Sequence, residues 1–376
     1  MQENNSLERY FGDLPDPRVV GRCEHKLVDI ILIAICAVLC GAEGWEDIEE
    51  FGQSKASWLR QFLELPCGIP WHDTFRRVFG LLDAQDFQER FARWVEGVLS
   101  VKRGQVIGVD GKTVRGSHNR QAGQEAIHLV SAWASESGLL LGQRKVDEKS
   151  NEITAIAELL KHLYVAGCSV SIDAMGCQKD IASTIVEQAA DYVLALKGNQ
   201  GQLHQDVQEW FAWARQSNFK DMDYSFWQTP NKGHGRVEVR RCWALSDPRA
   251  FEVIRHHDGW AGLRSIVMLE RQRILPEAMQ TETAYFISSL PADAKLLLHA
   301  VRSHWSVENT FHWTLDVTFR EDDARLRSGD SAEIFAVLRH ISLNLLKHHP
   351  AKLSVKRKRF KAALDDSFLL ELLSQV

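Results

Sequence analysis

In the stretch Ile107-Gly108-Val109-Asp110-Gly111-Lys112-Thr113, a short apolar strand predicted over 105–109 ends at the acidic residue Asp110. A second apolar stretch, Ser169–Ile172, ends in the same way at Asp173. An acid at the carboxyl end of a buried strand destabilises a fold unless a cation or a hydrogen-bond donor pairs with it. The alternative is that each aspartate is a turn or helix-capping residue, a role that this side chain favours.

The segments around these two strands predict an α/β core whose first half is antiparallel. In chain order the predicted strands and helices are the strands 105–109, 126–134 and 139–145, a helix capped by Asn151, the strand 169–172, the helix 180–190, the strand 192–196 and the helix 203–215. This order places the strands of Asp110 and Asp173 side by side. Close carboxylates repel each other unless a cation lies between them, and paired hard oxygen ligands suit Mg²⁺ or Mn²⁺.

The flanking sequence predicts four regions. Residues 1–100 form an all-α N-terminal domain that is a candidate for DNA binding. Residues 101–218 and 291–350 form the α/β core, and residues 219–290 form a β-rich insertion within it. Residues 351–376 form a basic C-terminal tail, which fits phosphate binding but is equally typical of a solvated segment.

A third acidic ligand is expected on the predicted helix 292–317. His304, Glu308 and His312 are spaced by four residues and would share one face of that helix. Asp316 continues the series but drifts away from the face. The alternative is an amphipathic helix with a solvated polar stripe, and the acids at 321–323 are rivals for which a solvated loop is the expected setting.

Composition excludes several classes of protein. The 376 residues include Lys+Arg 45 and Asp+Glu 50, a formal net charge of −5, so any contact with DNA must come from local basic patches. The seven cysteines show no CxxC pair, which disfavours disulfides and structural zinc. No HExxH or GxxxxGK[ST] motif is present. The apolar run Ile30–Leu39 is short of the roughly 20 residues that span a bilayer, so we expect a buried helix and a cytoplasmic protein with no membrane role.

Several blocks of this sequence resemble the H-repeat-associated transposases, which are bacterial insertion-sequence enzymes of the DDE class. The resembling blocks are residues 107–113, 147–153, 173–179, 196–200 and 304–309, together with Gly44–Ile48 and Ile69–Thr74. The resemblance runs over nearly the whole chain, and the blocks are specific when they are taken together.

The resemblance implies a ribonuclease-H-like catalytic core with Asp110, Asp173 and Glu308 as its acidic triad. It also implies two Mg²⁺ or Mn²⁺ ions in the DNA-bound state, and strand cleavage and strand transfer at the ends of an insertion sequence. The broader cut-and-paste group has a Tyr, an Arg and a Lys near its Glu, but Val301, His304 and Leu315 occupy those places here. Those DNA contacts are therefore not carried over.

Two other functions remain open at this point. One is a DNA-binding relic of a transposase that has lost its chemistry, and the other is a ribonuclease-H-like nuclease that cuts without joining. The transposase interpretation implies double-stranded DNA as the partner, a homodimer on that DNA and a nucleoid-associated location in a bacterium.

Candidate DNA-binding residues follow the predicted strand ends or lie on a predicted N-terminal helix. They are Lys112, Arg115, Lys179, Lys197, Asn199 and His304 near the strand ends, and Arg76 and Arg77 on the helix Asp73–Leu82. That helix is a candidate for the second helix of a helix-turn-helix, which would present its first residues to the major groove. The alternatives are ordinary solvated side chains and a plain helical packing module.

Overall fold

A computed structural model describes residues 6–19, 21, 23–98, 102–119, 123, 125–147, 150–233, 236–274 and 278–374. Glu148 and Lys149, which belong to one of the blocks quoted above, lie outside these residues. The chain forms two compact units. The first holds Met1–Val101, Gly111–Asp147 and Glu308–Val376, and the second holds Lys102–Asp110 and Glu148–Val307. These units do not coincide with the four predicted regions.

The secondary structure alternates between long helical stretches and groups of strands. The helices are α1 Ser6–Phe11, α2 Leu27–Cys40, α3 Trp45–Ser54, α4 Ala56–Leu59, α5 His72–Leu81, α6 Ala84–Val98, α7 Glu152–Lys161, α8 Lys179–Glu187, α9 Gly201–Gln216, α10 Pro248–Val253, α11 Ala294–His304, α12 Trp313–Thr318, α13 Ser331–His348, α14 Val355–Leu364 and α15 Asp366–Ser374. The strands are β1 Val106–Thr113, β2 His128–Ala134, β3 Leu139–Lys145, β4 Ser169–Ile172, β5 Asp191–Leu196, β6 Tyr224–Gly233, β7 Arg236–Leu245, β8 Ser265–Ile274 and β9 Met279–Ser288.

The first unit is built around two helices that are buried on nearly every side. In α2 every residue from Ile30 to Leu39 is buried, as the continuous apolar run predicts. α13 packs against α2 and is buried from Ser331 to Leu346. The Asn344 side chain fastens α13 to β3, because it accepts from the Leu140 amide and donates to the Leu140 carbonyl, both at 2.8 Å.

The predicted basic tail is a folded part of the first unit. Residues 355–364 and 366–374 form α14 and α15, and two of the basic side chains point into the protein. The Lys358 ammonium donates to the carbonyl oxygens of Leu346 and His349, each at 2.7 Å. Arg359 donates to the carbonyl of Val38 at 2.9 Å, so it ties α14 to α2. These two cations therefore satisfy the ends of helices and do not belong to a solvated tail.

No single helix among the described residues is long and apolar enough to cross a membrane. The helices α2 and α3 reach that length and composition only as a pair, and a bend of 95° separates them.

The second unit contains a mixed sheet with the strand order β1-β4-β5-β9-β8-β7-β6. β1 pairs with β4 and β4 with β5 in parallel, whereas β5 to β9 and all later pairs are antiparallel. The predicted β-rich insertion therefore continues the sheet of β1, β4 and β5 through β9. β6 is the edge strand of this sheet, which is a position where its Pro230 and Gly233 are tolerated.

One helix covers part of this extended sheet. α11 lies on β6 and β7 and on the neighbouring strands, where apolar side chains of both layers form one core. That core includes Val193, Cys242, Val267, Leu298 and Val301, each of which is at most 4% exposed. The helix α7 begins as predicted, since the Asn151 side chain accepts a hydrogen bond from the Thr154 amide at 3.1 Å.

Candidate active site

Asp110 and Asp173 lie on neighbouring strands of the sheet in the second unit. Asp173 directly follows β4, whereas Asp110 lies within β1, which continues to Thr113 and does not end at Val109 as predicted. β1 and β4 run in parallel, and the last pair in their register is Val109 with Ile172. Asp110 comes directly after Val109 and Asp173 directly after Ile172, and both aspartates are half-buried. The carboxyl ends of parallel strands meet at one edge of a sheet, which is where ligands bind in open α/β sheets. The prediction that these two strands lie side by side is confirmed.

The Asp173 carboxylate is held by the turn that follows it. Its Oδ1 atom accepts hydrogen bonds from the backbone amides of Met175 at 3.0 Å and Gly176 at 3.3 Å. A Cβ atom at Gly176 would lie less than 3.0 Å from the side chain of Ile172, so only glycine fits this turn without a shift. Asp173 therefore plays the turn role that the sequence left open, and one of its carboxylate oxygens is fixed by it.

The loop after β5 braces the same turn. Asn199 donates from Nδ2 to the carbonyl of Ala174 at 2.6 Å, and Gln200 donates from Nε2 to the carbonyl of Cys177 at 2.9 Å. Asn199 thus uses one side-chain donor within the protein, and its contact with DNA stays a prediction. Lys179 and Lys197, which belong to the segments after β4 and β5, are exposed as predicted.

The segment that carries Glu308 is not a regular helix. α11 ends at His304, and Val307–His312 is π-helical, with hydrogen bonds five residues apart. The prediction that His304, Glu308 and His312 share one helical face is therefore wrong, because spacing by four holds only along an uninterrupted α-helix. Glu308 is exposed, whereas His312 is buried. Burial, with a smaller effect of the Lys112 charge, lowers the pKa of His312 to about 4.

Two contacts anchor the residues that precede Glu308 within the second unit. The Nδ1 atom of His304 lies 3.1 Å from the carbonyl oxygen of Ser171 in β4, and since a carbonyl only accepts, this nitrogen donates. The side chain of Val307 lies against Gly108 in β1, where a Cβ atom would come closer than 3.0 Å to it. Close approaches of this kind are a common reason for glycine inside a strand. His304 is therefore fixed to the strand that leads to Asp173.

Lys112 lies in a buried ion cluster of the first unit. Its Nζ atom is 2.8 Å from Asp316, 3.0 Å from Glu321 and 3.1 Å from Asp322. Burial acts to lower the pKa of Lys112, but the carboxylates of Glu321 and Asp316 outweigh it and raise that pKa. The Glu321 side chain is 1% exposed and also lies 3.6 Å from Arg339, so the expectation of a solvated loop is wrong for this residue. Three carboxylates therefore already compensate the charge of Lys112, and its contact with DNA stays a prediction.

The remaining predicted cations lie on the surface of the first unit. The Arg115 side chain is 83% exposed and lies 3.5 Å from Asp322. Arg76 and Arg77 are exposed on α5, and Arg76 pairs with Asp73 at 2.7 Å. Phe75, Val78 and Phe79 form the buried side of the same helix.

Among the residues that the structure describes, no group of three or more His, Cys, Asp or Glu side chains forms a metal-binding cluster. The register of β1 and β4 nevertheless brings two aspartates to one sheet edge, and their oxygen atoms are the hard ligands that Mg²⁺ and Mn²⁺ take. The donor type therefore fits the implied metal.

A family model described as a transposase DDE domain matches residues 102–345. The chain belongs to the DDE transposase family. The matched range includes Asp110, Asp173 and Glu308, and a second model, described as DDE_Tnp_1-associated, matches residues 8–95. The helices α2 to α5 thus lie in a region that accompanies the DDE domain in other transposases.

Relatives of this DDE transposase extend over its whole length. It is 41% identical over 373 residues to a protein of Escherichia coli O157:H7 named "putative transposase YncI", covering 98% of this chain and 94% of that one. It is 40% identical over 377 residues to the "H repeat-associated putative transposase YhhI" of Escherichia coli strain K12, covering 99% and 98%. The resemblance to the H-repeat-associated transposases is therefore confirmed.

Among solved structures, the piggyBac transposase synaptic complex with hairpin DNA is similar over 98% of this chain and 78% of the piggyBac chain. The two proteins are 10% identical, and the TM-score is 0.43.

Sequence reasoning missed the residues that hold the acids in place. Gly108 and Gly176 border Asp110 and Asp173, and their signal was a glycine inside or just after a β-branched strand. The partners of Lys112 were visible only as separate acids in the sequence, since no local pattern shows which of them are buried.

Proposed function

We propose that this DDE transposase is catalytically active and that it cleaves DNA at the ends of an insertion sequence and joins those ends to target DNA. The observation that carries this proposal is the register of β1 and β4, which brings Asp110 and Asp173 to one sheet edge. Family membership supports the choice of reaction, and the two-carboxylate edge supports its chemistry.

The proposal includes a ribonuclease-H-like core. Its support is the succession of elements, in which β1, β2 and β3 are followed by α7, β4, α8, β5 and α9. β2 and β3 form an antiparallel pair, whereas β1, β4 and β5 are parallel neighbours. A mixed sheet of this kind presents the ends of β1 and β4 to a ligand.

In this proposal Asp110, Asp173 and Glu308 would hold Mg²⁺ or Mn²⁺, with Glu308 assigned by its sequence motif. Such ions stabilise charge on the attacking and leaving oxygens of a phosphodiester. The protein's own residues keep the ligands in place. The turn amides fix one oxygen of Asp173, His304 secures the end of α11 to β4, and Val307 packs on Gly108 next to Glu308 in the chain.

DNA would be bound by exposed cations, since the net charge of −5 gives no general attraction. Lys179 and Lys197 are the proposed phosphate contacts beside the two aspartates, and Arg115, Arg76 and Arg77 are the proposed contacts in the first unit. His304 is reassigned from DNA contact to positioning residue, because its Nδ1 proton is donated to β4. Holding two element ends together would require a homodimer on the DNA.

The test is cleavage of a labelled duplex that carries the element's own ends, with Mg²⁺, with Mn²⁺ and with a chelator. We expect metal-dependent nicking at the end, and loss of at least about a thousandfold in rate for Asp110→Ala, Asp173→Ala and Glu308→Ala, with DNA binding intact. The matched control is Asp180→Ala, which removes an exposed carboxylate from α8 and should cleave at the wild-type rate.

Three outcomes would contradict the proposal. If the folded wild-type protein binds this DNA but never cuts it, the chain is a binding-only relic. If it cuts but does not join the released end to target DNA, it is a nuclease. If one of the three variants retains the wild-type rate, its residue does not belong to the triad.

A further inference from the structure

Two arginines stand directly opposite each other on the antiparallel part of the sheet in the second unit. Arg240 of β7 and Arg271 of β8 are partners in the strand register, so their side chains leave the same face. Directly opposite residues have Cβ atoms about 5 Å apart, and like charges in such positions destabilise a sheet. Arg302 lies in the last turn of α11, the helix that packs on β7 and β8, and its charge contributes to lowering the pKa of Arg240. We call these three residues the arginine cluster.

The carboxylates that the structure describes around the arginine cluster do not balance its charge. Glu238 pairs with Arg240 and lies 3.4 Å from a fourth guanidinium, that of Arg273, and Glu282 pairs with Arg271. Among the residues that the structure describes here, which do not include 275–277, four guanidinium groups therefore face two carboxylates. The Arg240 side chain is only 18% exposed. Burial lowers its pKa, and the Arg302 and Arg271 charges lower it further, against the effect of Glu238.

The surroundings join the arginine cluster to the candidate active site. Cys242 of β7 pairs with Leu269 of β8, two positions along the ladder from the arginine pair, so these side chains lie on the same face as the arginines. α11 covers this apolar layer. The Arg271 guanidinium lies 5.9 Å from the ring centre of Trp305, which is 50% exposed. Trp305 follows His304, the residue that donates to β4 next to the Asp173 turn. Arg271 is thus a neighbour of the residue that follows the end of α11.

We propose that the arginine cluster binds the phosphate groups of a DNA strand that enters the active site. This inference rests on the proposed function and adds a binding site to it. Guanidinium groups bind phosphate through paired hydrogen bonds, and phosphate contacts position a duplex without reading its sequence. A phosphodiester between Arg240, Arg271 and Arg302 would also remove the repulsion that the free protein retains.

The test measures DNA affinity and stability together. Arg302 is exposed, so Arg302→Gln and Arg302→Glu leave the core untouched. Binding of a labelled duplex is followed against salt concentration, and thermal unfolding is followed without DNA. The matched control is Arg264→Gln, which removes the same charge just before β8, seven residues and roughly 23 Å along the strand from Arg271.

We expect Arg302→Gln to reduce the slope of log K against log salt by about 0.9 and to weaken binding about eightfold at 0.1 M salt. Arg302→Glu should weaken binding more, yet raise the unfolding midpoint above that of the wild type, because a carboxylate there neutralises Arg240 and Arg271. A residue with a purely structural role would not move affinity and stability in opposite directions. A slope for Arg302→Gln equal to that of the wild type, or of Arg264→Gln, would overturn the proposal.

Further arms separate this inference from the proposed function. If the slope falls in Arg302→Gln while the wild type cuts no DNA, the arginine cluster binds DNA and the proposed catalysis fails. If cleavage is normal and the slope is unchanged, only the arginine cluster proposal fails. Inorganic phosphate is the last probe. If it raises the wild-type midpoint but not that of Arg302→Glu, and the DNA slope does not change, the site takes free anions and the DNA assignment is overturned.

Discussion

Gly108→Ala should slow DNA cleavage without weakening DNA binding. Gly108 lies two residues before Asp110, and a Cβ atom there would come within 3.0 Å of Val307 Cγ2. An ordinary carbon–carbon contact needs about 3.5–4.0 Å, so the strand or the valine must move by at least about 0.5 Å. Val307 is bonded to Glu308, and the strand carries Asp110, so either movement displaces a proposed metal ligand. A displacement of 1 Å can slow catalysis roughly a hundredfold.

The assay is the cleavage rate of the labelled element end under saturating protein and metal, with affinity measured separately. We expect a loss between about tenfold and a hundredfold, and a fall of about 1–3 kcal/mol in the free energy of unfolding from overpacking. Gly201→Ala is the control, because a Cβ atom there has nothing within 4 Å. The double variant Gly108→Ala, Val307→Ala removes the clashing methyl group and should regain rate. Wild-type cleavage by the single variant, or no recovery in the double, would refute this reasoning.

Two further predictions concern the first unit. Lys112→Met leaves the buried Glu321 without its ammonium partner, so urea titration should show a loss of about 3 kcal/mol in the free energy of unfolding. Adding Glu321→Gln should restore part of that loss. Equal stability of Lys112→Met and the wild type would contradict the ion cluster. Burial lowers the pKa of His312 to about 4 and that of His340 to about 3, so the unfolded state binds more protons below pH ~6.5. Stability should fall from there towards pH 4 by up to ~1.4 kcal/mol per pH unit for each histidine, and His340→Phe should flatten that slope.

The two aspartates could be predicted because their signal is local. Each follows a run of apolar residues that is long enough for a strand and too short for a helix. A turn follows Asp173 at once, whereas β1 continues past Asp110 to Thr113. The alternation of strands and helices then predicts that β1 and β4 are neighbours. The same local reasoning finds the Asn151 cap, since the capping residue and the amide that it binds are three positions apart.

The remaining parts of the site depend on contacts between distant segments. Periodicity does not distinguish α-helical from π-helical hydrogen bonds, so the break after His304 left no trace in the pattern. Lys112 and Glu321 are 209 positions apart, and only the fold shows that they share a buried site. A positive charge was likewise a poor guide to DNA binding, because the basic side chains of Lys112 and Arg359 have their partners inside the protein.

Charge in this protein is distributed by function in a way that the total of −5 hides. The acids of β1 and β4 lie at one edge of the sheet, where repulsion between them favours a divalent cation. On β7 and β8 the repelling charges are positive, and their repulsion favours a phosphate. In both proposals a ligand of opposite charge binds where the fold brings like charges together. The unfolding midpoint of Arg302→Glu tests this idea at the second site, because a rise above the wild-type midpoint is expected only if positive charge is in excess there.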